Sequence, residues 1–313
     1  MSNPPPQFQP DPAPPQKRTP SPDPASPETG TQGAPAPPKR TGREGWPPWL
    51  SIAGFAAGYG ATIVVGIVAI TISSAFGAST SDPPPALNIG LTIIQNAALI
   101  GAAYFFAALG GRPAASDFGL RRPERIWRSV RLLIAVWIGF FLASAIWAVV
   151  LKLDEPQTLP DDLGANGPLL NALAVVVLVT VIAPLGEELF FRGFFFGALR
   201  NWRGPVVAAM LTGALFGLIH VGSAPVGYLV PLAFFGIGLC LLYEWTGSLY
   251  PPVALHALNN SIALGANLDW TWQIPAMMVG STLAALACAW LLGRLIGERA
   301  PAAPANAPAP GQV

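Results

Sequence analysis

Two carboxylates and a guanidinium, Glu187, Glu188 and Arg192, interrupt a run of apolar residues that otherwise reads as a membrane span. An ionised side chain at the centre of a bilayer helix costs about 2.5–3.5 kcal/mol on insertion scales, so these three must either pair or do work. Glu188 and Arg192 are spaced i,i+4, which predicts an ion pair on one helical face. Glu187 is turned about 100° away, toward the interior of a helix bundle. The chain has only two histidines. His220 closes the run Phe216-Gly217-Leu218-Ile219-His220, and His256 opens His256-Ala257-Leu258-Asn259-Asn260, where His256 and Asn260 are again i,i+4. A carboxylate beside an imidazole in a low-dielectric site can hold and deprotonate a water. A second imidazole with an amide can donate hydrogen bonds to a carbonyl oxygen as it becomes an oxyanion. These are the parts of a water-activating hydrolase. Ser223 lies near His220, but no G-x-S-x-G elbow is present to make it a nucleophile. Glu187, His220 and His256 also make a two-histidine, one-carboxylate set that could hold Zn²⁺ with a water in the fourth place, although an HExxH helix is absent.

The elements that must position these groups follow from composition. Of 313 residues, 52% are hydrophobic and 11% charged, far below the roughly 25% charged residues of a soluble domain. The sequence predicts an all-α integral membrane protein, a bundle of about eight transmembrane helices near 50–77, 87–109, 130–151, 169–199, 205–221, 226–245, 251–267 and 273–293. Residues 1–48, with sixteen prolines, and 296–313 read as disordered tails that cannot bury enough surface to offset chain entropy. Lys and Arg are gathered into short segments and give no surface for nucleic acid; the surroundings implied are a lipid bilayer and, for a hydrolase, a membrane-associated protein or peptide substrate. Arginines cluster at 112–131, 200–203 and 294–299, all even-to-odd junctions or the end, so both termini are expected in the cytoplasm of a multi-pass cell-membrane protein. The Ala/Pro/Gly-rich tails hint at a GC-rich bacterial genome. Trp46, Trp49, Trp245, Tyr250, Trp270 and Trp272 fall near span ends, as interfacial aromatics do. Cys240 and Cys288 lie in apolar runs and read as small buried hydrophobes.

A turn at Arg200–Gly204 folds the fourth and fifth spans back to back. Measured from it at 1.5 Å per residue, Glu187 and His220 both lie roughly 22–26 Å along their helices and meet at similar depth. Gly213 and Gly217 permit close approach there. Counted from the Thr246–Pro252 turn, His256 lies only about 10 Å along its helix, shallower than its partners unless that turn dips into the membrane. Asn259, Glu244 and Gln95 read as packing or rim residues.

In order and spacing, Glu187-Glu188-x-x-x-Arg192, Phe216-x-x-x-His220 and His256-x-x-x-Asn260 resemble the motifs of the CAAX protease and bacteriocin-processing (Abi, CPBP) family, over about residues 170–265. Asp117-Phe118-Gly119-Leu120-Arg121 matches as well, and no motif position departs. The resemblance implies an intramembrane endopeptidase in which Glu187 and His220 activate water and His256 and Asn260 form the oxyanion hole. Glu188, Arg192 and Phe216 would support the site. The family is described both as metalloproteases and as glutamate-type endopeptidases without a metal. The second fits better here, because the two carboxylates and Arg192 already balance charge without an ion, so no cofactor is expected and Zn²⁺ is the alternative. Two other classes use the same residues: a non-catalytic binding or immunity-like membrane factor, and a proton-coupled transporter, for which no convincing inverted repeat is found.

Overall fold

The computed structural model describes Met1 and residues 46–80, 83–152 and 159–298; most of both Pro-rich tails lies outside the described residues. The fold belongs to the unit Thr41–Val313. Among the described residues it is helical, with no strand and eight principal helices. They are α1 (Pro48–Ala75), α2 (Pro85–Ala108), α3 (Ile126–Leu151), α4 (169–203), α5 (205–218), α6 (Leu229–Thr246), α7 (Tyr250–Asn267) and α8 (Gln273–Ile296). The chain is a multi-pass membrane protein.

Six helical stretches are long and apolar enough to span a bilayer, against about eight expected from sequence. The difference has two causes. The stretch Leu169–Leu218 counts as one long helical stretch but folds in two at Gly204, whose φ of 79° and ψ of 167° break the helix ahead of Pro205. And α7 carries His256, Asn259, Asn260 and Asn267, which make it too polar to qualify by composition although its first half is buried inside the protein.

Helix α4 is the central post. Residues Leu189–Phe196 are all buried, as expected of a helix apolar on every side, and Phe190, Phe191 and Phe194 are packed among Phe55, Trp46 and Phe216. Two π-helical segments, Leu178–Ile182 and Leu189–Phe196, flank the ordinary turns Ala183–Glu188. Such segments re-aim the side chains beside them and recur at functional sites. By contrast α3 buries only Ser129 and turns most of its surface outward. Trp49, Trp245 and Trp272 are exposed, as interfacial aromatics should be, but Trp46 is buried against Phe118 and Phe194 and belongs to the core.

Helices α5 and α6 touch through glycine. A Cβ on Gly213 would lie 2.7 Å from the Ile237 nitrogen and 2.8 Å from the Ala233 carbonyl, and one on Gly236 would lie 2.9 Å from the Gly213 Cα. This is the small-residue contact that lets membrane helices gain van der Waals packing without a hydrophobic driving force. Replacing Gly213 by Val should force the pair apart and lower stability by about 1–3 kcal/mol; thermal unfolding in detergent measures it, with Gly139→Val, which faces open space, as the unaffected control.

Candidate active site

Glu188 and Arg192 form the expected pair, Arg192 Nη1 donating to Glu188 Oε1 at 2.7 Å with neither side chain exposed. The guanidinium is held further by Nη2 donating to the Gly236 carbonyl at 3.1 Å and by the Phe216 ring, whose centroid is 4.5 Å from Cζ. His256 Nδ1 donates to the same Glu188 oxygen at 2.8 Å. One carboxylate oxygen therefore receives both an arginine and a histidine. Since a carboxylate only accepts, this hydrogen bond puts the proton on Nδ1 and aims Nε2 the other way. Nε2 lies 3.9 Å from Glu187 Oε2, an oxygen that is buried and has no hydrogen-bond partner. The His256 ring is gripped edge-on between Phe216 and Phe235, at 5.8 and 5.5 Å between centroids.

The depth mismatch foreseen for His256 disappears because its turn is sunk in the protein. Ser248 and Leu249 have no exposure and Pro251 and Pro252 are buried. The lid over them is the 114–121 segment: Leu249 N–H donates to the Gly119 carbonyl at 2.7 Å, Ser248 Oγ to the Arg121 carbonyl at 2.6 Å, and Arg121 Nε to the Gly247 carbonyl at 2.8 Å. Gly119, at φ 79°, lies so close to the Tyr243 ring that a Cβ would collide with it. The Asp117–Arg121 motif thus fixes the base of α7, and through it His256.

His220 follows the end of α5, where the Phe216 carbonyl is free to accept Nδ1–H at 2.7 Å. Its Nε2 is left unprotonated in the neutral ring. Asn260 Nδ2 donates to the Val179 carbonyl, in the first π-helical segment, at 2.9 Å; its second amide hydrogen has no such tie. Glu187, His220, His256 and Asn260 all line one cavity of about 440 Å³. Glu188 and Arg192 stand behind its wall. The sequence underrated Gln95 and Asn259, which also line this cavity, whereas Glu244 pairs with Arg200 at 3.0 Å, partly exposed, as a rim residue should. Tyr59 and Asn96 were not foreseen. Tyr59 has a buried hydroxyl without a partner and lies within electrostatic reach of Glu187; Asn96 is buried against Gly186, the residue before Glu187. Neither sits in a recognisable motif, so only packing reveals them. Among the described residues no three His, Cys, Asp or Glu side chains are gathered to hold a metal ion, while Glu187, His220 and His256 share one cavity.

Bundle and site define a helical membrane protein with a polar cavity inside the bundle. Comparison with known proteins bears on that cavity: residues 169–262 match the family described as type II CAAX prenyl endopeptidase Rce1-like. Among curated proteins the chain is similar to the UPF0177 protein YxdF of Lactococcus lactis, at 27% identity over 45% of this chain and 80% of that protein. It is similar also to the Bacillus subtilis protein named "Putative membrane peptidase YdiL", at 24% identity over 30% of this chain but only 38% of that protein. A third relative, the uncharacterized protein YpbD of Bacillus subtilis, is 22% identical over 44% of this chain and 71% of its own length. No solved structure matches.

Removing one partner of a buried pair strands the other charge, which costs about 3–5 kcal/mol. Arg192→Leu should therefore unfold the protein at markedly lower denaturant, and adding Glu188→Leu should restore part of the loss. Unfolding of the single and double variants in mixed micelles measures this, and a double variant no more stable than Arg192→Leu would contradict it.

Proposed function

We propose that the protein is an intramembrane endopeptidase that hydrolyses a peptide bond of a membrane-associated protein or peptide with water activated by Glu187. The observation that carries this reading is the unequal fate of two adjacent carboxylates. Glu188 is engaged through Oε1 by Arg192 and His256 and does not line the cavity, its Oε2 being unpartnered behind the wall, whereas Glu187 lines the cavity shared with both histidines and has its own buried, unpartnered oxygen. A lone buried carboxylate is costly, and such cost is retained where it serves chemistry. The match over residues 169–262 and the similarity to a protein named as a membrane peptidase support the same class.

In this mechanism a water held between Glu187 and His220 gives one proton to Glu187 as its oxygen attacks the scissile carbonyl carbon. The carbonyl oxygen takes the electron pair and becomes an oxyanion. The free amide hydrogen of Asn260 donates to it, and so does His256 when Nε2 carries a proton. Collapse of the tetrahedral intermediate re-forms the carbonyl and breaks the C–N bond. The leaving nitrogen takes the proton from Glu187, which regenerates the base. Phe216 and Arg192 act on this sequence only through the placement of the two imidazoles. The glutamate-type reading routes no step through an ion.

Cleavage of a peptide library in liposomes by wild type and Glu187→Gln, each with and without a strong chelator, tests it. The expected result is cleavage that survives the chelator and falls at least about 10²-fold in the variant, the lower range of a general-base contribution. Loss of wild-type cleavage in chelator would move the reading to a metalloprotease. A folded wild type that cleaves nothing, or equal cleavage by both proteins, would contradict it.

A further inference from the structure

The bundle has two chemically different ends, and the cavity belongs to one of them. At the first end lie the six arginines between 112 and 131, with Arg200, Arg203 and Arg294. The fold ties these segments together: Arg121 and Arg128 donate to the Gly247 and Trp245 carbonyls at the foot of α6, Arg200 pairs with Glu244, and Ala115 N–H donates to the Gly297 carbonyl after α8. At the second end the connections 76–84, 152–168, 219–228 and 268–272 contain a single Lys or Arg, Lys152. These too are joined, Asn88 Nδ2 donating to the Asp162 carbonyl and Trp147 Nε1 to the Gly227 carbonyl, both at 2.9 Å.

The catalytic cavity is walled by the second end. Leu163 comes from the connection before α4, and Val221, Gly222 and Ser223 from the connection after α5; no residue of the arginine-bearing segments lines it. His220 is sixteen positions beyond the Gly204 turn, about 24 Å along α5, most of the way across a hydrocarbon core of about 30 Å. Val221 beside it is well exposed. Arginine in short connections marks the cytoplasmic side.

We infer that the cavity opens toward the extracytoplasmic face, so that the bond it accepts is one presented from that side: an exported peptide, or the outward juxtamembrane segment of a membrane protein, rather than a cytoplasmic tail. The statement about substrate rests on the endopeptidase reading; the statement about the opening does not. Glu187 and His220 then take their water from the outer aqueous phase through the 219–228 connection, while the arginine-clamped end, closed by the 114–121 segment over the α6–α7 turn, seals the site from the cytoplasm.

Cysteine accessibility in spheroplasts tests this. In a Cys240→Ala, Cys288→Ala background, single cysteines replace Ser223 at the cavity, Thr271 at the same end and Trp202 at the arginine end, with Val221→Cys as a second, more exposed cavity position. A membrane-impermeant maleimide should label the cavity cysteines and Thr271→Cys in intact spheroplasts, and Trp202→Cys only after permeabilisation. Labelling of Trp202→Cys from outside, or cavity cysteines unreactive there while reactive once the membrane is opened, would overturn the inference. Cavity cysteines unreactive in both states beside a reactive Thr271→Cys would overturn it as well. Labelling needs no turnover, so a correctly labelled protein without activity counts against the endopeptidase reading alone.

Discussion

A glutamate and an arginine with no solvent exposure can persist inside a membrane bundle only if they pair with each other and with neighbouring polar groups. In this protein most of that pairing meets at one oxygen, with Arg192 Nε and Glu188 Oε2 left without partners. Glu188 Oε1 receives Arg192 from its own helix and His256 from α7, and Arg192 reaches across to the Gly236 carbonyl of α6. Three helices are thereby fixed around a point where lipid could satisfy none of them. The glycine contact between Gly213 and Gly236 brings α5 and α6 close enough for that reach, and the phenylalanines of α4 keep water from the pair.

What the pair leaves over is the site. With His256 tied by Nδ1 to Glu188, its Nε2 points toward Glu187; with His220 tied by Nδ1 to the Phe216 carbonyl, its Nε2 is also free. Both imidazoles are held by hydrogen bonds on the side away from the cavity, and both offer the remaining nitrogen for chemistry. This is the logic by which a buried second partner sets the tautomer and orientation of a working histidine. Glu187 keeps an oxygen without a partner beside that cavity, the kind of local violation that a stable fold tolerates where function needs it.

Much of this was readable before any coordinates. The i,i+4 spacing gave the Glu188–Arg192 pair, the turn at Gly204 placed Glu187 and His220 at one depth, and all four residues expected in the catalytic set line one cavity. What stayed hidden depends on contacts distant in sequence. The depth of His256 is set by the 114–121 segment lying over the α6–α7 turn, about 130 positions away in sequence from the turn it covers. The π-helical segments are invisible because an apolar run reads alike in either helix. Trp46 looked interfacial by position but packs on Phe118, and Tyr59 and Asn96, which sit in no motif, become visible only through packing. The helix expected at 251–267 is α7, although it is too polar to count as a span by composition because a helix buried in protein need not be apolar enough for lipid.

The account's central claim is that two neighbouring carboxylates have separate duties, one holding the bundle and one doing the chemistry. The most direct test is to measure unfolding stability and cleavage rate together for Glu187→Gln and Glu188→Gln. The account predicts a crossed result: Glu187→Gln at least as stable as wild type but without cleavage, and Glu188→Gln clearly less stable because Arg192 and His256 lose their common acceptor. Two variants equal in both measurements, or a destabilised Glu187→Gln that still cleaves, would contradict it.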